Sequence, residues 1–276
     1  EVSVYAGIPV TAIFDEAGLP AGALNDGPAE LALFRNPMGL AADKNGNVYV
    51  ADAGNHAIRK ITPEGEVTTL AGTGVLGHRD GPGVEALFHY PMDVAVDDEG
   101  NVYVADTLNH AIRKITPGGE VTTLNALSTR AVEVYEGVIV PAGGYADGPL
   151  AEALFNEPSG MAIDAKGNLY VSDTGNQRIR YIDFAAGTVT TVAGGGELEE
   201  NALYVEGAYA DGPAQEARFH GPKGLAAAPD GGLFIADSLN HAIRYLKDGR
   251  VHTVAGNPAG NHGYRNGFDQ EALLNH

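Results

Sequence analysis

Short apolar runs separated by turn residues recur along the chain in sets of four. In the first set the strand candidates are GLAAD (39–43), NVYVAD (47–52), HAIRKI (56–61) and EVTTLAG (66–72). The segments between them, KNG, AGN and TPEG, contain residues typical of tight turns, so neighbouring strands are predicted to be antiparallel. Apolar residues occur at both odd and even positions of a strand, so both faces of the sheet are apolar. This predicts sheets that are covered on both faces.

The same set of four strand candidates occurs four times. Its central part reads NVYVADAGNHAIRKI (47–61), NVYVADTLNHAIRKI (101–115), NLYVSDTGNQRIRYI (168–182) and GLFIADSLNHAIRYL (232–246). A second string precedes each copy: DGPAELALFRNP (26–37), DGPGVEALFHYP (80–91), DGPLAEALFNEP (147–158) and DGPAQEARFHGP (211–222). Four-stranded antiparallel sheets that repeat and need cover on both faces predict an all-β fold, the β-propeller.

The stretch from 39 to 72 resembles an NHL repeat, a family named for its Asn-His-Leu-like turn. The turn reads Asn-His-Ala in three copies and Asn-Gln-Arg in the copy at 176–178. The resemblance implies blades stacked around a central channel, six of them in many relatives. It also implies protein, glycan or RNA contacts as the function, although propellers that resemble this one include lyases and lactonases.

The chain is interpreted as a single propeller domain, 1–276, with four complete blades whose cores are 38–72, 92–124, 159–194 and 223–256. EVSVYAG (1–7) matches EVTTLAG (66–72) and is predicted to be an orphan outer strand. A truncated fifth repeat follows at 266–276. This pattern indicates a fragment or an incomplete ring, with a parent of five or six blades, or an arc that closes by self-association.

Two residue types recur in every copy at positions that a scaffold would need. Aspartates end the second strand: Asp52, Asp106, Asp173 and Asp237. Arginines recur on the third strand: Arg59, Arg113, Arg180 and Arg244. The aspartates are predicted to accept hydrogen bonds from turn amides, the alternative being a ring of acids around a cation. The arginines are predicted to pair with carboxylates or carbonyls between blades.

Two further repeated positions allow a metal or a structural role. Histidines follow the turn asparagine at His56, His110 and His241, but Gln177 fills the remaining copy. We therefore favour packing or hydrogen bonding there over a histidine metal ring. The Asp-Gly-Pro strings, headed by Asp26, Asp80, Asp147 and Asp211, are predicted to turn into one helical turn. Calcium binding by these loops is the alternative, although the spacing of a dedicated calcium loop is absent.

The copies differ most just before and within the first strand, where a propeller lines its channel. The candidate ligand-binding residues there are Arg35, Asn36, His89, Tyr90, Asp93, Asn156, Glu157, His220 and Lys223. Four of them, His89, Asp93, Glu157 and His220, are candidate ligands for a divalent cation, calcium or zinc, that would polarise a substrate. The alternative is a polar, hydrated rim without chemistry.

Two insertions offer a second candidate site. RAVEVYEGVIVPAGGY (130–145) is predicted to form a β-hairpin, and ELEENALYVEGAY (197–209) is acidic and carries two tyrosines. Exposed tyrosine in an acidic frame suits protein or glycan contacts. The alternative is that both insertions only cover the channel or a sheet edge.

The amino-acid composition restricts the classes of partner that the protein is expected to bind. Lys plus Arg number 17 against 36 Asp plus Glu, a formal charge of −19 that argues against nucleic acid. No apolar stretch is long enough to span a membrane, and the absence of cysteine excludes thiol chemistry. The sequence thus favours a non-catalytic binding scaffold for a protein or glycan, from a bacterial surface or secreted protein. A metal-dependent lyase or lactonase is the alternative.

Overall fold

A computed structural model of the protein describes residues 3–7, 24–256 and the single positions 263, 265, 274 and 275. The chain divides into two compact units, Glu1–Leu124 and Asn125–His276. Among the described residues, no helix is long and apolar enough to cross a membrane. Within the described ranges, all regular structure is β-strand apart from five three-residue 3₁₀ helices.

The first unit contains two sheets, blades 1 and 2. The strands of blade 1 are Gly27–Pro28, Pro37–Ala42, Val48–Asp52, Ala57–Ile61 and Glu66–Ala71. Those of blade 2 are Gly81–Pro82, Pro91–Val96, Val102–Asp106, Ala111–Ile115 and Glu120–Thr123. A 3₁₀ helix, Ala53–Asn55 or Thr107–Asn109, joins the second and third long strands of each blade.

The second unit contains blades 3 and 4. Blade 3 has the strands Gly148–Pro149, Pro158–Ile163, Leu169–Asp173, Arg178–Asp183 and Thr188–Gly194. Blade 4 has Gly212–Pro213, Pro222–Ala227, Leu233–Asp237, Ala242–Lys247 and Arg250–Gly256. The 3₁₀ helices here are Leu150–Glu152, Thr174–Asn176 and Ser238–Asn240. A separate hairpin, Ala131–Tyr135 with Val138–Pro141, precedes blade 3.

Each blade is an antiparallel meander of four long strands, as predicted, so the β-propeller fold class is confirmed. The Gly-Pro pair adds a short fifth strand beside the outermost long strand, where Gly27 pairs with Val67. Proline suits this place because an edge strand can lack a donor on its solvent side. One helical turn follows, closed by a bond from Ala32 N to Pro28 O, which also agrees with the prediction.

The predicted outer strand 1–7 is described from residue 3 onwards, and residues 3–7 form no strand. They nevertheless lie where an outermost strand would end. Gly7 N donates to Ala29 O, just as Gly72 N, at the end of blade 1, donates to Gly83 O of blade 2. The truncated fifth repeat at 266–276 lies outside the described residues except for positions 274 and 275.

The apolar core lies between the blades of each unit. One face of a blade, the Tyr face, carries Tyr49, Ala51, Ile58 and Ala71 in blade 1. It packs on the opposite face of blade 2, the Phe face, formed by Ala86, Phe88, Val94, Val102, Val104, Ile115 and Val121. In the second unit, Ala162, Ile179 and Ala193 of blade 3 pack in the same way on Phe219, Leu233, Ile235 and Leu246 of blade 4. Such burial is the main source of stability in a stacked repeat.

Each blade encloses an ion pair between the repeated arginine and aspartate. Arg59 and Asp52 are fully buried, and Arg59 Nη1 lies 2.9 Å from Asp52 Oδ2. Arg59 Nη2 lies 2.8 Å from Asp26 Oδ1, and the guanidinium stacks on the ring of Phe34. Asp26 in turn accepts bonds from the backbone and side chain of Thr69. The arginine therefore joins the inner strands of the blade to its outermost strand.

The partners of these residues correct two details of the sequence interpretation. The arginine binds carboxylates and carbonyls of its own blade, including Leu33 O, and not those of a neighbouring blade. The described bonds of the aspartate do not come from backbone amides of its own turn. Asp52 Oδ1 accepts the backbone N–H of Arg35, and Oδ2 accepts the side chain of Asn55. The Asp-Gly-Pro aspartates hold arginine and threonine, which explains their recurrence without calcium.

The equivalent pair of blade 2, Asp106 with Arg113, gives a test of this role. Burial raises the pKa of Asp106 to about 6, although Arg113 and Asn109 oppose the rise. We expect Asp106→Ala to lower the free energy of unfolding by about 3–5 kcal/mol, because Arg113 would remain buried without its main partner. Asp98→Ala, at an exposed turn of the same blade, should change it by less than about 0.5 kcal/mol. Urea unfolding followed by circular dichroism measures both, and equal effects would contradict the argument.

The residue after the turn asparagine links consecutive blades. His56 Nδ1 accepts the backbone N–H of Tyr90 in blade 2, at 3.0 Å. In the second unit, Gln177 Oε1 accepts the N–H of the equivalent residue, Gly221, at 2.7 Å. Histidine and glutamine are therefore exchangeable here because each supplies an acceptor. These two contacts support the hydrogen-bonding interpretation of the position over a metal ring.

The same bond predicts a pH dependence. Burial, together with His89 and Arg35, holds the pKa of His56 below its usual value. The stability that neutral His56 contributes is therefore present above about pH 6.5 and is lost as the pH falls towards the lowered pKa. We expect His56→Gln to keep the bond and to lose less stability than the wild type between pH 8 and pH 5. His56→Leu should cost about 1 kcal/mol at pH 8. Identical pH profiles for wild type and His56→Gln in thermal melts would contradict this.

Candidate ligand-binding surface

The two insertions of the second unit form its most irregular surface. The first contains the predicted hairpin, which the structure confirms as strands Ala131–Tyr135 and Val138–Pro141. The second, residues 195–209, contains no strand. We call these the hairpin and the acidic loop, and together the insertion surface. Long insertions on a regular scaffold are the usual place for binding functions.

Arg130 ties the base of the hairpin to the acidic loop. Its Nη1 donates to Gly143 O at 2.6 Å, and its Nη2 donates to Ala202 O at 2.7 Å. Longer contacts join Nη2 to the carbonyls of Glu199 and Glu200. A guanidinium suits this task because its fixed fork of donors can serve several carbonyls at once.

Residues of blade 3 hold the other side of the acidic loop. Asn156 is buried, and its side-chain amide donates to Leu203 O at 2.6 Å. Gln177 Nε2 donates to Val205 O, while Val205 N donates to Gly175 O at 2.8 Å. The loop backbone is therefore bonded on both sides of Tyr204. Its conformation is set before any ligand arrives.

An arginine peculiar to blade 3 closes the start of the loop. Arg178 donates to Asn176 O and to Gly196 O, and its guanidinium lies 4.0 Å from the ring centre of Tyr145. The equivalent residue is alanine in the other three blades, at positions 57, 111 and 242. Arginine thus replaces alanine only in blade 3, where its side chain bonds to the acidic loop.

Tyr204 and Glu157 meet at the rim of the loop. The Tyr204 hydroxyl donates to Glu157 Oε1 at 2.8 Å. Burial raises the pKa of Glu157, and burial together with the carboxylate raises the pKa of Tyr204 to about 12. Tyr204 thus stays protonated at neutral pH and donates to the carboxylate, while its ring is half exposed to solvent.

The acidic loop and the start of blade 4 line an open pocket of about 600 Å³. Its lining residues are Gly196, Glu197, Glu199, Ala202, Tyr204, Val205, Glu206, Gly207, Ala208 and Arg218. The pocket thus combines one aromatic ring, three carboxylates and one guanidinium. Aromatic and mixed polar groups of this kind suit a polar ligand such as a peptide or a carbohydrate.

In the first unit, the predicted site residues mainly support the contact between blades. Tyr90 donates its N–H to His56, and His89 donates its N–H to Asp106. Asp93 accepts the N–H of Val94 and lies against Gly39 of blade 1, in space that a side chain at position 39 would occupy. Arg35 is half-buried, and Asn36 is exposed with a left-handed backbone.

In the second unit, three of the predicted residues support the acidic loop. Asn156 and Glu157 bond to it, and the ring of His220 lies against Gly207. Lys223 is half-buried, and its carbonyl accepts the hydroxyl of Ser172. The structure therefore brings Asn156, Glu157 and His220 to one insertion, where they act as supports for it.

The metal prediction finds no support in the part of the chain that the structure describes. No group of three or more His, Asp or Glu residues there could hold a metal ion. His89, Asp93, Glu157 and His220 do not form such a group. Their described contacts are with protein groups.

Sequence reasoning missed three residues of the insertion surface. Arg130 lies within the first insertion, which has no counterpart in the other copies, so no repeat comparison could assign it. Tyr145 does have a counterpart in the next copy, Tyr209, two residues before the Asp-Gly-Pro aspartate. Arg178 did leave a signal, because it breaks an otherwise constant alanine position. Blade 3 departs from the repeat at 177 and 178, and it has its own residue at 156, a position that varies among the copies. All three side chains bind the acidic loop.

Four antiparallel meanders with one repeated ion-pair network define a repeat protein built from β-propeller blades. The family model for the NHL repeat matches residues 34–61, 88–115 and 155–180, which are the inner parts of blades 1 to 3. The chain belongs to the NHL-repeat proteins, as its repeats predicted.

Comparison with known proteins gives relatives of greater length. The chain is 31% identical over 201 residues to Protein SUPPRESSOR OF QUENCHING 1, chloroplastic, of Arabidopsis thaliana, covering 68% of this chain and 17% of that protein. It is 29% identical over 249 residues to NHL repeat-containing protein 2 of Gallus gallus, covering 85% of this chain and 34% of that one. The chain therefore spans only 17% and 34% of the length of these two relatives.

A solved structure with a similar fold is a structural genomics protein of unknown function from Bacteroides thetaiotaomicron. The TM-score is 0.58 at 25% identity, over 78% of this chain and 47% of that one. This likeness supports the blade architecture.

Removal of the Arg130 side chain should make local opening of the acidic loop easier. We expect Arg130→Ala to increase cleavage by a glutamate-specific protease after Glu197, Glu199 or Glu200 by at least about tenfold, because local opening would cost about 1.4 kcal/mol less. Arg250→Ala, an exposed arginine at the edge of blade 4, is the control and should leave cleavage unchanged. Limited proteolysis with mass spectrometry identifies the sites. Equal cleavage of both variants would show that Arg130 does not hold the loop.

Proposed function

We propose that this protein is a non-catalytic binding module that holds a protein or glycan ligand on the insertion surface of its second unit. The observation that carries the proposal is the pocket that the acidic loop forms with the start of blade 4. Hydrogen bonds to the loop backbone come from Arg130, Asn156, Gln177 and Arg178. A pre-formed site reduces the conformational entropy that is lost when a ligand binds.

The chemistry of the pocket favours a polar, extended ligand over a small apolar one. Tyr204 offers a ring on which a sugar or a side chain can stack, and Glu197, Glu199 and Glu206 offer acceptors. Arg218 adds a donor to the lining of the pocket. The overall charge of −19 favours basic or neutral partners, and we exclude nucleic acid from the proposal on that ground.

The lyase or lactonase alternative gains no support from the described residues. Its candidate metal ligands do not form a group that could hold a cation. Each of them has a described contact within the scaffold instead. An extracellular or cell-surface location and a bacterial origin stay predictions, and the relatives named above include a plant and a bird protein.

Binding to a glycan array and to a library of basic peptides tests the proposal. We expect Tyr204→Ala and Arg218→Ala to weaken binding of any selected ligand by at least about tenfold, which corresponds to about 1.4 kcal/mol. Tyr204→Phe should retain part of the affinity, because it keeps the ring and loses only the bond to Glu157.

Glu99→Gln, an exposed acid in a turn of blade 2, is the matched control for general loss of charge and should leave affinity unchanged. Circular dichroism of each variant confirms folding. A ligand that binds the wild type and both alanine variants equally would place binding elsewhere and overturn the assignment to this surface.

A further inference from the structure

Arg218 departs from the repeat at a position that the other blades fill with leucine. The equivalent residues of the other three copies are Leu33, Leu87 and Leu154. In blade 2 the side chain of Leu87 lies against Gly77, a glycine of the preceding segment. Blade 4 has a cation at this place, in the lining of the pocket beside the acidic loop. The scaffold does not need this exchange, because leucine serves it in three blades.

The guanidinium of Arg218 has no partner within the part of the chain that the structure describes. Its backbone is bonded, since Arg218 N donates to Ala210 O and Arg218 O accepts a bond from Arg244. The side chain is half-buried, yet no hydrogen bond or ion pair of the guanidinium is found among the described residues. By contrast, Arg178 on the other side of the loop donates to Gly196 O. The N–H donors of Arg218 are therefore available to a ligand.

Glycines of the acidic loop leave room for this guanidinium. A side chain at Gly195 would begin 3.1 Å from Arg218 Nη1, and one at Gly196 would begin 3.5 Å from the same atom. Blade 1 has Thr73 at the position of Gly195. The loop backbone can thus approach Arg218 without a side chain that would cover its donors.

Three carboxylates share the pocket with this cation. Glu197, Glu199 and Glu206 line it, and all three are exposed. Among the described residues, none of them forms an ion pair with Arg218. The pocket therefore presents positive and negative groups that do not neutralise each other, and a ligand that complements both carries an anion and a cation.

A carboxylate is the anion that fits best. It matches the planar fork of a guanidinium with two parallel hydrogen bonds. A phosphate or a polyanion would bring more negative charge close to the three glutamates, and the repulsion would grow with that charge. The glutamates in turn favour a ligand whose carboxylate lies beside a basic group.

We propose that the pocket binds the C-terminus of a peptide that ends in lysine or arginine, with the terminal carboxylate on Arg218. This inference rests on the proposed function and narrows it to one class of ligand. A C-terminal basic residue carries both charges on one Cα, so a single residue can reach Arg218 and the glutamates. The ring of Tyr204 offers a surface for the apolar stem of the basic side chain. Capture of a terminal carboxylate is a recurrent mode of peptide recognition.

Two peptide pools test the proposal by fluorescence anisotropy. Both consist of fluorescein-labelled hexapeptides with random residues at the first five positions and lysine at the last, one pool as free acids and the other as C-terminal amides. We expect the wild type to bind the free acids at least about tenfold more tightly. Net charge alone predicts the opposite order, because the amides are more positive and the protein has a formal charge of −19.

Arg218→Leu, which introduces the residue of the other blades, should bind both pools with the same low affinity. A free-acid pool that ends in glutamate should bind the wild type at least about tenfold more weakly than the lysine pool, because the glutamates of the pocket repel it. Arg250→Ala removes the same charge from an exposed position of blade 4 and should keep the preference for free acids. Circular dichroism melts confirm that each variant is folded.

Equal binding of free acids and amides by the wild type would overturn the proposal. If Tyr204→Ala then weakened both pools alike, the proposed function would still stand, so the two failures are distinguishable. Binding of oligogalacturonate in place of either peptide pool, lost in Arg218→Leu, would assign the carboxylate to an acidic sugar and would overturn the peptide ligand. A preference for free acids that survives in Arg218→Leu would show that another group holds the carboxylate.

Discussion

The buried pair of arginine and aspartate is the interaction on which each blade depends. Arg59 and Asp52 are fully buried, and neither charge would be tolerated there without the other. The pair also reaches Asp26 and, through it, Thr69, so one network spans the blade from its inner strands to its edge. Its recurrence in all four blades explains why these residues repeat while the surface changes. Blade stacking then adds the apolar contact and the bond accepted by His56 or Gln177.

Local departures from the repeat mark the places where the scaffold carries something additional. Blade 3 has Asn156, Gln177 and Arg178 where its neighbours have other residues, and each holds the acidic loop. A repeat protein can tolerate such changes because the ion-pair network and the apolar faces are left intact. The pocket beside Tyr204 is a consequence of this arrangement. The geometry of the pocket depends on backbone carbonyl groups of the acidic loop, which belongs to an insertion and not to the repeat.

The packing of blade on blade follows the same pattern in each unit. The Tyr face of blade 1 is buried on the Phe face of blade 2, and blade 3 packs on blade 4 in the same way. The repeat supplies this contact because each copy carries the same apolar residue types at the same positions. The insertion surface is a separate feature, since it depends on segments that lie outside the repeat.

The repeat could be read from the sequence because turn residues and alternating apolar runs are local signals. The strands, the hairpin, the helical turn after each Gly-Pro and the structural role of Asp52 and Arg59 followed from such signals. The partners did not, because Arg35 N and Asp26 come together with Asp52 and Arg59 only when the strands pair. Likewise, Asn156, Glu157 and His220 were singled out as divergent, but the sequence could not show that they support one loop. By itself, the sequence determined the blade and its repetition. Only the tertiary structure decided which faces are covered and where the insertions meet, because these depend on contacts between residues far apart in the chain.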